Sequence, residues 1–264
     1  MTRTRSTHNR TSVDAIACYD LGLVPYEPLQ QLQAEWRRGV AAGTRPGALM
    51  LLEHEPVITL GARTVATRAA RAHVPRNDAS DPLAPQDQTD AGAVFTSRYG
   101  QAGSPSIPVV QSERGGLATL HAPGQLVSYP IIPLPHKNLR SYVWGLEEVL
   151  VLLLREWDIE AERRAGRPGL YVADAKIASV GIRCERWVTS HGTSLNICPD
   201  LTLFDLIVSC GDPTLVQTSV AHLGGQIVEH AQAARRYAEL FGRVFNLQVS
   251  PPQPIEWEKL RDLP

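Results

Sequence analysis

The sequence predicts an α/β fold of the α+β kind, a mixed β-sheet with helices packed on it. Three observations lead there. Short apolar runs bounded by turn residues recur along the chain and read as strands. A few long stretches carry apolar groups at helical spacing. No internal repeat is visible that would argue for a solenoid or propeller. The chain has 264 residues, 43% hydrophobic and 20% charged, the make-up of a globular protein able to bury a sizeable core. Residues 14–250 read as one domain, preceded by a disordered tail at 1–13 and followed by a C-terminal tail at 251–264.

The first strand is expected over 14–20. Pro25 opens a helix with Leu29, Leu32, Trp36 and Val40 on one face. Ala48–Leu52 and Val57–Leu60 read as two strands joined by a His-Glu-Pro turn. Residues 74–106 are rich in Pro, Asp, Ser, Gln and Gly and read as a surface insertion. Ile107–Val110 and Leu126–Ile132 read as strands flanking a glycine-rich turn. Asn138 is placed to cap a long helix whose apolar face carries Tyr142, Leu146, Leu150, Leu153 and Trp157. Gly169–Val172, Lys176–Arg183 and Trp187–Ile197 follow as short strands, the second alternating like a half-buried hairpin strand. Leu203–Ser209 reads as a strand-like run ending at Cys210. A last helix over about 226–245 places Ile227, Ala231, Ala234, Ala238, Phe241 and Phe245 on one side.

Composition excludes several classes. The net charge of −1 provides no basic field for nucleic acid. The longest uninterrupted apolar run, Val149–Leu154, is far too short for a membrane span. The N-terminal segment has three arginines but no apolar stretch, so it is not a secretory signal. Cys18, Cys184, Cys198 and Cys210 include no C-x-x-C pair. They read as free thiols in a reducing, cytoplasmic compartment, with no metal site.

The chemistry concentrates in three places. Arg114-Gly-Gly-Leu-Ala-Thr-Leu-His-Ala-Pro-Gly-Gln-Leu-Val-Ser-Tyr-Pro130 combines glycines, a histidine and a Pro-Gly turn, and can bring backbone N–H groups close to a ligand. His121 reads as a base, a substrate hydrogen-bond partner or a satisfied core histidine. No G-x-x-x-x-G-K-[ST] loop is present. Cys210, followed by glycine, is either a nucleophile whose neighbour Gly211 offers its N–H to a developing oxyanion or an ordinary core cysteine. Lys176, among small and apolar neighbours, either favours a nearby thiolate by Coulomb attraction or protects an edge strand.

Taken together and in order, these segments resemble the octanoyltransferases of lipoate synthesis, also called lipoyl(octanoyl) transferases or the lipoate-protein ligase B family. The resemblance rests on residues 114–130, on Lys176-Ile-Ala-Ser-Val-Gly-Ile-Arg183, on His191-Gly-x-x-Leu-Asn196 and on Cys210-Gly211, and spans about Asp14 to Phe245 apart from the 74–106 insertion. It implies a biotin/lipoate protein ligase-like fold. It also implies transfer of an octanoyl or lipoyl group from the phosphopantetheine thiol of acyl carrier protein to a cysteine, then to a lysine ε-amine on a lipoyl domain. The acceptors implied are the lipoyl domains of 2-oxoacid dehydrogenase complexes and the glycine cleavage H protein, with no cofactor, nucleic acid or membrane involved.

The resemblance assigns Cys210 as the nucleophile and Lys176 as the lysine that lowers its pKa. It places Arg114, Gly115, Gly116, Leu117, Ala118, Thr119, Leu120, His121, Ser179, Val180, Gly181, Gly192, Thr193 and Ser194 at the substrate. Gly115, Gly116, Ala118, Ala178 and Gly181 are small enough to leave an acyl slot, in which each buried methylene contributes roughly 0.8 kcal/mol.

The pattern departs from the family in three places. Ala122 stands where glycine is usual and is strained if φ is positive there. Leu120 stands where an aromatic is common. Asp212 puts a carboxylate next to the thiol. An ATP-dependent lipoate–protein ligase, a lipoyl amidotransferase, a non-catalytic lipoyl-domain binder and a cysteine hydrolase are the competing readings. Arg63, Arg68, Arg71, Arg183 and Arg186 form a basic rim for acidic partners or are scattered solvated arginines.

Overall fold

The computed structural model describes residues 15–64, 94–96, 98–101 and 105–263. The expected tail at 1–13, most of the expected insertion at 74–106, and Arg68 and Arg71 lie outside the described residues. In chain order the elements are β1 (Ala17–Val24), α1 (Tyr26–Ala42), β2 (Ala48–His54), β3 (Val57–Leu60), β4 (Val109–Gln111), β5 (Ala118–His121), β6 (Gln125–Ile131), α2 (Leu139–Arg155), β7 (Glu162–Arg164), β8 (Arg167–Val172), β9 (Ala175–Glu185), β10 (Val188–Asn196), α3 (His230–Phe245) and β11 (Gln253–Pro254). Short 3₁₀ segments occupy Leu201–Leu206, Ser209–Gly211 and Trp257–Asp262.

Among the described residues the main sheet has the order β11-β1-β2-β6-β10-β9-β8-β7, and a smaller one the order β4-β3-β5. The β11/β1 and β1/β2 pairs are parallel and the remaining pairs of the main sheet antiparallel, so the sheet is mixed. The main sheet is covered on both faces, and β2 shows why its sequence is apolar throughout. Leu49 and Leu51 share a buried cluster with Leu146, Leu150 and Leu153 of α2 and Tyr237 and Phe241 of α3. The alternate residues Ala48, Met50 and Leu52 share another with Leu29, Leu32 and Trp36 of α1. A strand buried on both faces reads as a continuous apolar run, the period-2 alternation being between two cores. No described helix is long and apolar enough to cross a membrane.

The helix signals have local physical causes. Asn138 caps α2, its Oδ1 accepting the Ser141 N–H at 3.0 Å. Pro25 stands just before α1 in extended conformation, and Gly43 ends it in the left-handed region. Helix α3 starts at His230 rather than near 226, leaving Ile227 outside it and 63% exposed.

Two segments depart from expectation more strongly. Residues 203–209 are not a strand. Asp200 accepts the Thr202 N–H at 3.0 Å and starts a 3₁₀ turn, and Phe204, Leu206 and Ile207 then cover the small sheet beside Phe95. The C-terminal segment is not a free tail. β11 pairs with β1, and Leu260 is fully buried in the α1-side core. The run 251–264 carries too few regularly spaced apolar groups to announce itself, because a two-residue strand and one buried leucine need partners distant in sequence. Leu260→Ala is expected to cost about 2–5 kcal/mol, the price of an unfilled core site, measured by urea unfolding. A loss within about 0.5 kcal/mol, the range of a surface substitution, would show that the segment does not contribute to the core.

Candidate functional site

The start of β9 determines where Lys176 and Cys210 stand. The Lys176 N–H donates to the Val216 carbonyl at 2.9 Å, and the Lys176 carbonyl accepts from the Thr218 N–H at 2.9 Å. The chain that leaves the Cys210 turn is thereby aligned alongside β9, in a parallel bridge of Lys176 with Gln217. Lys176 is 3% exposed and its Nζ lies 3.5 Å from Cys210 Sγ, whereas the cysteine itself is exposed. The amine also lies 5.5 Å from the centre of the Tyr171 ring.

Cys210 is not at a strand end, as the apolar run before it implied. It sits in the 3₁₀ turn Ser209–Gly211 with φ 56° and ψ 18°, the left-handed region that a side chain adopts at a cost. Its neighbour does not supply an oxyanion donor either, because the Gly211 N–H is engaged by the Val208 carbonyl at 3.2 Å. The Asp212 carboxylate is matched by Arg167 at 2.9 Å and accepts from the Thr214 backbone N–H and hydroxyl. The Thr214 contacts, with Arg167, hold its pKa below the usual range, and its charge is balanced locally.

A cavity of about 870 Å³ opens at this pair. Of the residues expected at the substrate, Arg114, Gly115, Gly116, Leu117, Ala118, Thr119, His121, Ser179, Val180, Gly181, Gly192, Thr193 and Ser194 line it. Leu120 does not. It is fully buried in the small-sheet cluster, on the face of β5 opposite Thr119 and His121. Ala178, expected at the slot, likewise turns into the main core. Ala122 is buried with no positive φ. The position that requires glycine is Gly124, at φ 89°, where a Cβ would come within 2.6 Å of the Cys198 carbonyl.

Arg114 is buried at 7% exposure, and its guanidinium is pinned by Thr59 and by the Gly115 carbonyl. Burial lowers its pKa, and no carboxylate pairs with it among the described residues. It therefore fastens the glycine-rich segment to β3 while its edge faces the cavity. Of the expected basic rim, Arg63 lines the cavity, Arg183 is balanced by Glu113 and Glu185, and Arg186 is exposed at a hairpin turn.

Sequence reasoning missed a buried polar relay behind the cavity. His121 Nδ1 meets Gln125 Oε1 at 3.1 Å, Gln125 Nε2 donates to Asn196 Oδ1 at 2.8 Å, and Asn196 Nδ2 donates to the Thr218 carbonyl at 2.9 Å. With its amide committed to Asn196, Gln125 accepts from His121 Nδ1–H, which leaves the Nε2 of the neutral ring as an acceptor. Gln125 and Asn196 belong to the motifs that carry the family resemblance, and their spacing alone did not show that they meet. Tyr26, His54, Tyr129 and His191 gather beside His121, with ring centres 5.0 to 6.0 Å apart along the cluster. His54 Nε2 accepts from the Tyr129 hydroxyl at 2.8 Å, and its Nδ1 faces the Val24 carbonyl at 2.9 Å.

Known proteins with this sequence pattern and this fold agree with one another. The family model described as the lipoyl protein ligase A/B catalytic domain matches residues 96–241. An octanoyltransferase of Syntrophotalea carbinolica is 37% identical over 219 residues, covering 82% of this chain and 88% of its own. The chain belongs to the lipoyl protein ligase A/B catalytic-domain family. An octanoyltransferase of Gloeobacter violaceus is 38% identical, covering 87% of this chain and 90% of its own. Among solved structures, a lipoate-protein ligase A bound with ATP superposes with a TM-score of 0.63 at 12% identity, covering 93% of this chain and 92% of its own. A bipartite lipoate protein ligase from Thermoplasma acidophilum gives 0.63 at 12% identity, covering 94% and 90%. These ligases share the biotin/lipoate protein ligase-like fold expected of a lipoyl protein ligase A/B domain.

In this member of the family burial holds neutral the histidines in the cavity wall, His121 and His191, and His54 behind it. It lowers the pKa of His54 to about 4 and that of His191 to about 3, and pushes His121 well below the usual value. The charged form is disfavoured in the folded state, so unfolding takes up protons. Their contribution is complete above an unfolded pKa of about 6.5 and is lost as pH falls toward the folded values. From about pH 6.5 to 5 the stability is expected to fall, approaching about 1.4 kcal/mol per pH unit for each of these histidines. Urea unfolding at stepped pH measures the slope, and His191→Gln should reduce it by about a third.

Proposed function

We propose that this chain transfers an octanoyl or lipoyl group from acyl carrier protein to a lysine of lipoyl domains, with Cys210 holding the acyl group as a thioester. The observation that carries the reading is the 3.5 Å approach of a buried Lys176 amine to an exposed Cys210 thiol at the cavity mouth. The 37% and 38% identities to octanoyltransferases support the acyl group chosen.

The chemistry closes on these two groups. The Cys210 thiolate attacks the carbonyl carbon of the donor thioester, and the bond to the phosphopantetheine sulfur breaks. The departing thiolate takes a proton from the Lys176 ammonium, which leaves a neutral amine. The acceptor ε-amine then attacks the Cys210 thioester. An amide bond forms, the C–S bond breaks, and the proton lost by the attacking nitrogen returns to Lys176. The starting thiolate–ammonium pair is restored. Thioester exchange is nearly isoenergetic and the amide is more stable than the thioester, so the sequence runs without ATP. Leu117, Ala118, Val180, Ile182 and Leu215 provide apolar cavity wall for the acyl chain, at roughly 0.8 kcal/mol per buried methylene. The donor is octanoyl-acyl carrier protein. The acceptors are the lipoyl domains of 2-oxoacid dehydrogenase complexes and the glycine cleavage H protein, met in the cytoplasm.

Incubation with octanoyl-acyl carrier protein in the absence of ATP is expected to give an octanoyl adduct on Cys210, read by intact mass and peptide mapping. Addition of a lipoyl domain should discharge it. Cys210→Ser should abolish the thioester, and Lys176→Ala should lower transfer by about 10²–10⁴-fold without unfolding the protein. Lys176→Arg should rescue little, because arginine keeps the charge but cannot act as a base. Labelling of the lipoyl domain that requires ATP and free octanoate, with no adduct, would move the chain to the ligases. Near-normal turnover in Lys176→Ala would remove the lysine from the mechanism.

A further inference from the structure

Glu147 is a buried carboxylate for which the acyl-transfer cycle has no use. It projects from α2 at 7% exposure, on the face that otherwise buries Leu146, Leu150 and Leu154. Its Oε1 accepts the Gly169 N–H at 2.9 Å, and its Oε2 lies 3.4 Å from Arg163 Nε. Gly169, at φ 122°, is where the lysine passes: a Cβ there would stand 2.7 Å from Lys176 Cε and 2.3 Å from the Ala178 carbonyl oxygen. The Lys176 stem therefore runs across the bare face of Gly169 on its way to Cys210, and only glycine leaves room for it.

We propose that Glu147 is a positioning residue for Lys176. It holds the Gly169 backbone as the rest against which the lysine stem lies, and its negative charge sets the proton balance of the Lys176–Cys210 pair. The inference rests on the acyl-transfer reading of that pair. The groups facing the lysine are Cys210 from the 209–211 turn, Tyr171 from β8 and Glu147 from α2 behind Gly169, with the Arg167–Asp212 pair on the cavity wall. The groups facing Glu147 are the Gly169 N–H, Arg163 from β7, which also binds Glu148, and Lys176 beyond the glycine. Burial raises the Glu147 pKa, while the Gly169 N–H, Arg163 and Lys176 act against that rise.

Glu147→Gln keeps the acceptor for Gly169 and nearly the same volume but removes the charge. Loss of a nearby negative charge favours the thiolate and disfavours the ammonium, so both titrations move the same way, to lower pH. Two profiles read this: alkylation of Cys210 by iodoacetamide against pH, followed by peptide mapping, and octanoyl transfer to a lipoyl domain against pH. Each is expected to shift to lower pH by about half a unit. Glu147→Ala, which also frees the Gly169 N–H, should lower transfer about tenfold further at equal folded fraction, checked by thermal unfolding. Wild-type pH profiles for Glu147→Gln in both assays would overturn the proposal, as would losses in both variants that only follow the folded fraction. Alkylation needs no acyl donor. A shifted alkylation profile in a protein that accepts no octanoyl group would thus retain the Glu147 coupling and reject the acyl-transfer reading.

Discussion

Two backbone hydrogen bonds at Lys176, one to the Val216 carbonyl and one from the Thr218 amide, carry the geometry of the site. Cys210 lies on a connecting segment, and such segments do not by themselves hold a side chain to within an ångström. Zipping residues 216–218 onto the first residues of β9 turns that segment into an extension of the sheet. The thiol then meets an amine that the strand has already buried. The sheet in turn is rigid because both its faces are packed, α1 on one side and α2 with α3 on the other. Strain follows from the same constraint: Cys210 takes a left-handed conformation to reach the lysine, at a cost of order 1–3 kcal/mol that the surrounding structure offsets.

Behind the pair, the cavity wall is polar and buried, which is expensive unless every group finds a partner. The structure meets that demand largely with neutral groups, although the buried His191 Nδ1 has no hydrogen-bond partner. His54, His121 and His191 are held unprotonated by burial, and His121, Gln125, Asn196 and Thr218 form a chain that ends one bond away from Lys176, since the Thr218 amide donates to the lysine carbonyl. Gln125 and Asn196 are thereby tied to the backbone segment that aligns Lys176 with Cys210. Arg114 is the charged exception, and its guanidinium is anchored to Thr59 rather than left to solvent. The result is a wall of fixed dipoles beside an exposed thiol.

The parts legible in the sequence are those whose cause is local. Asn138 caps α2, and the leucines that follow at helical spacing are the ones buried. The apolar run of β2 reports burial on both faces, and Val57–Leu60 forms a strand with the bounds its composition indicates. Strand β5 was hidden inside a glycine-rich motif, because its pairing with β3 comes from residues some sixty positions away and not from its own alternation. Residues 203–209 are apolar enough for a strand, but the Asp200 cap starts a turn instead. The β11 and Leu260 contacts are long-range and leave no periodic trace.

The residue pattern alone establishes the fold class, the helices, most of the strands and the presence of a thiol, an amine and a glycine-rich segment in a fixed order. Long-range packing brings Lys176 and Cys210, 34 residues apart, to 3.5 Å from each other. It also decided that Gly124 rather than position 122 needs a positive φ, that Asp212 is balanced by Arg167, and that Leu120 and Ala178 face away from the cavity. The physical reason is the range of the interactions. Helix periodicity, capping and burial pattern depend on residues a few positions apart and are written along the chain. Strand register and the partner of a buried charge depend on elements brought together by the sheet, where a one-residue shift reverses which side chains face the cavity.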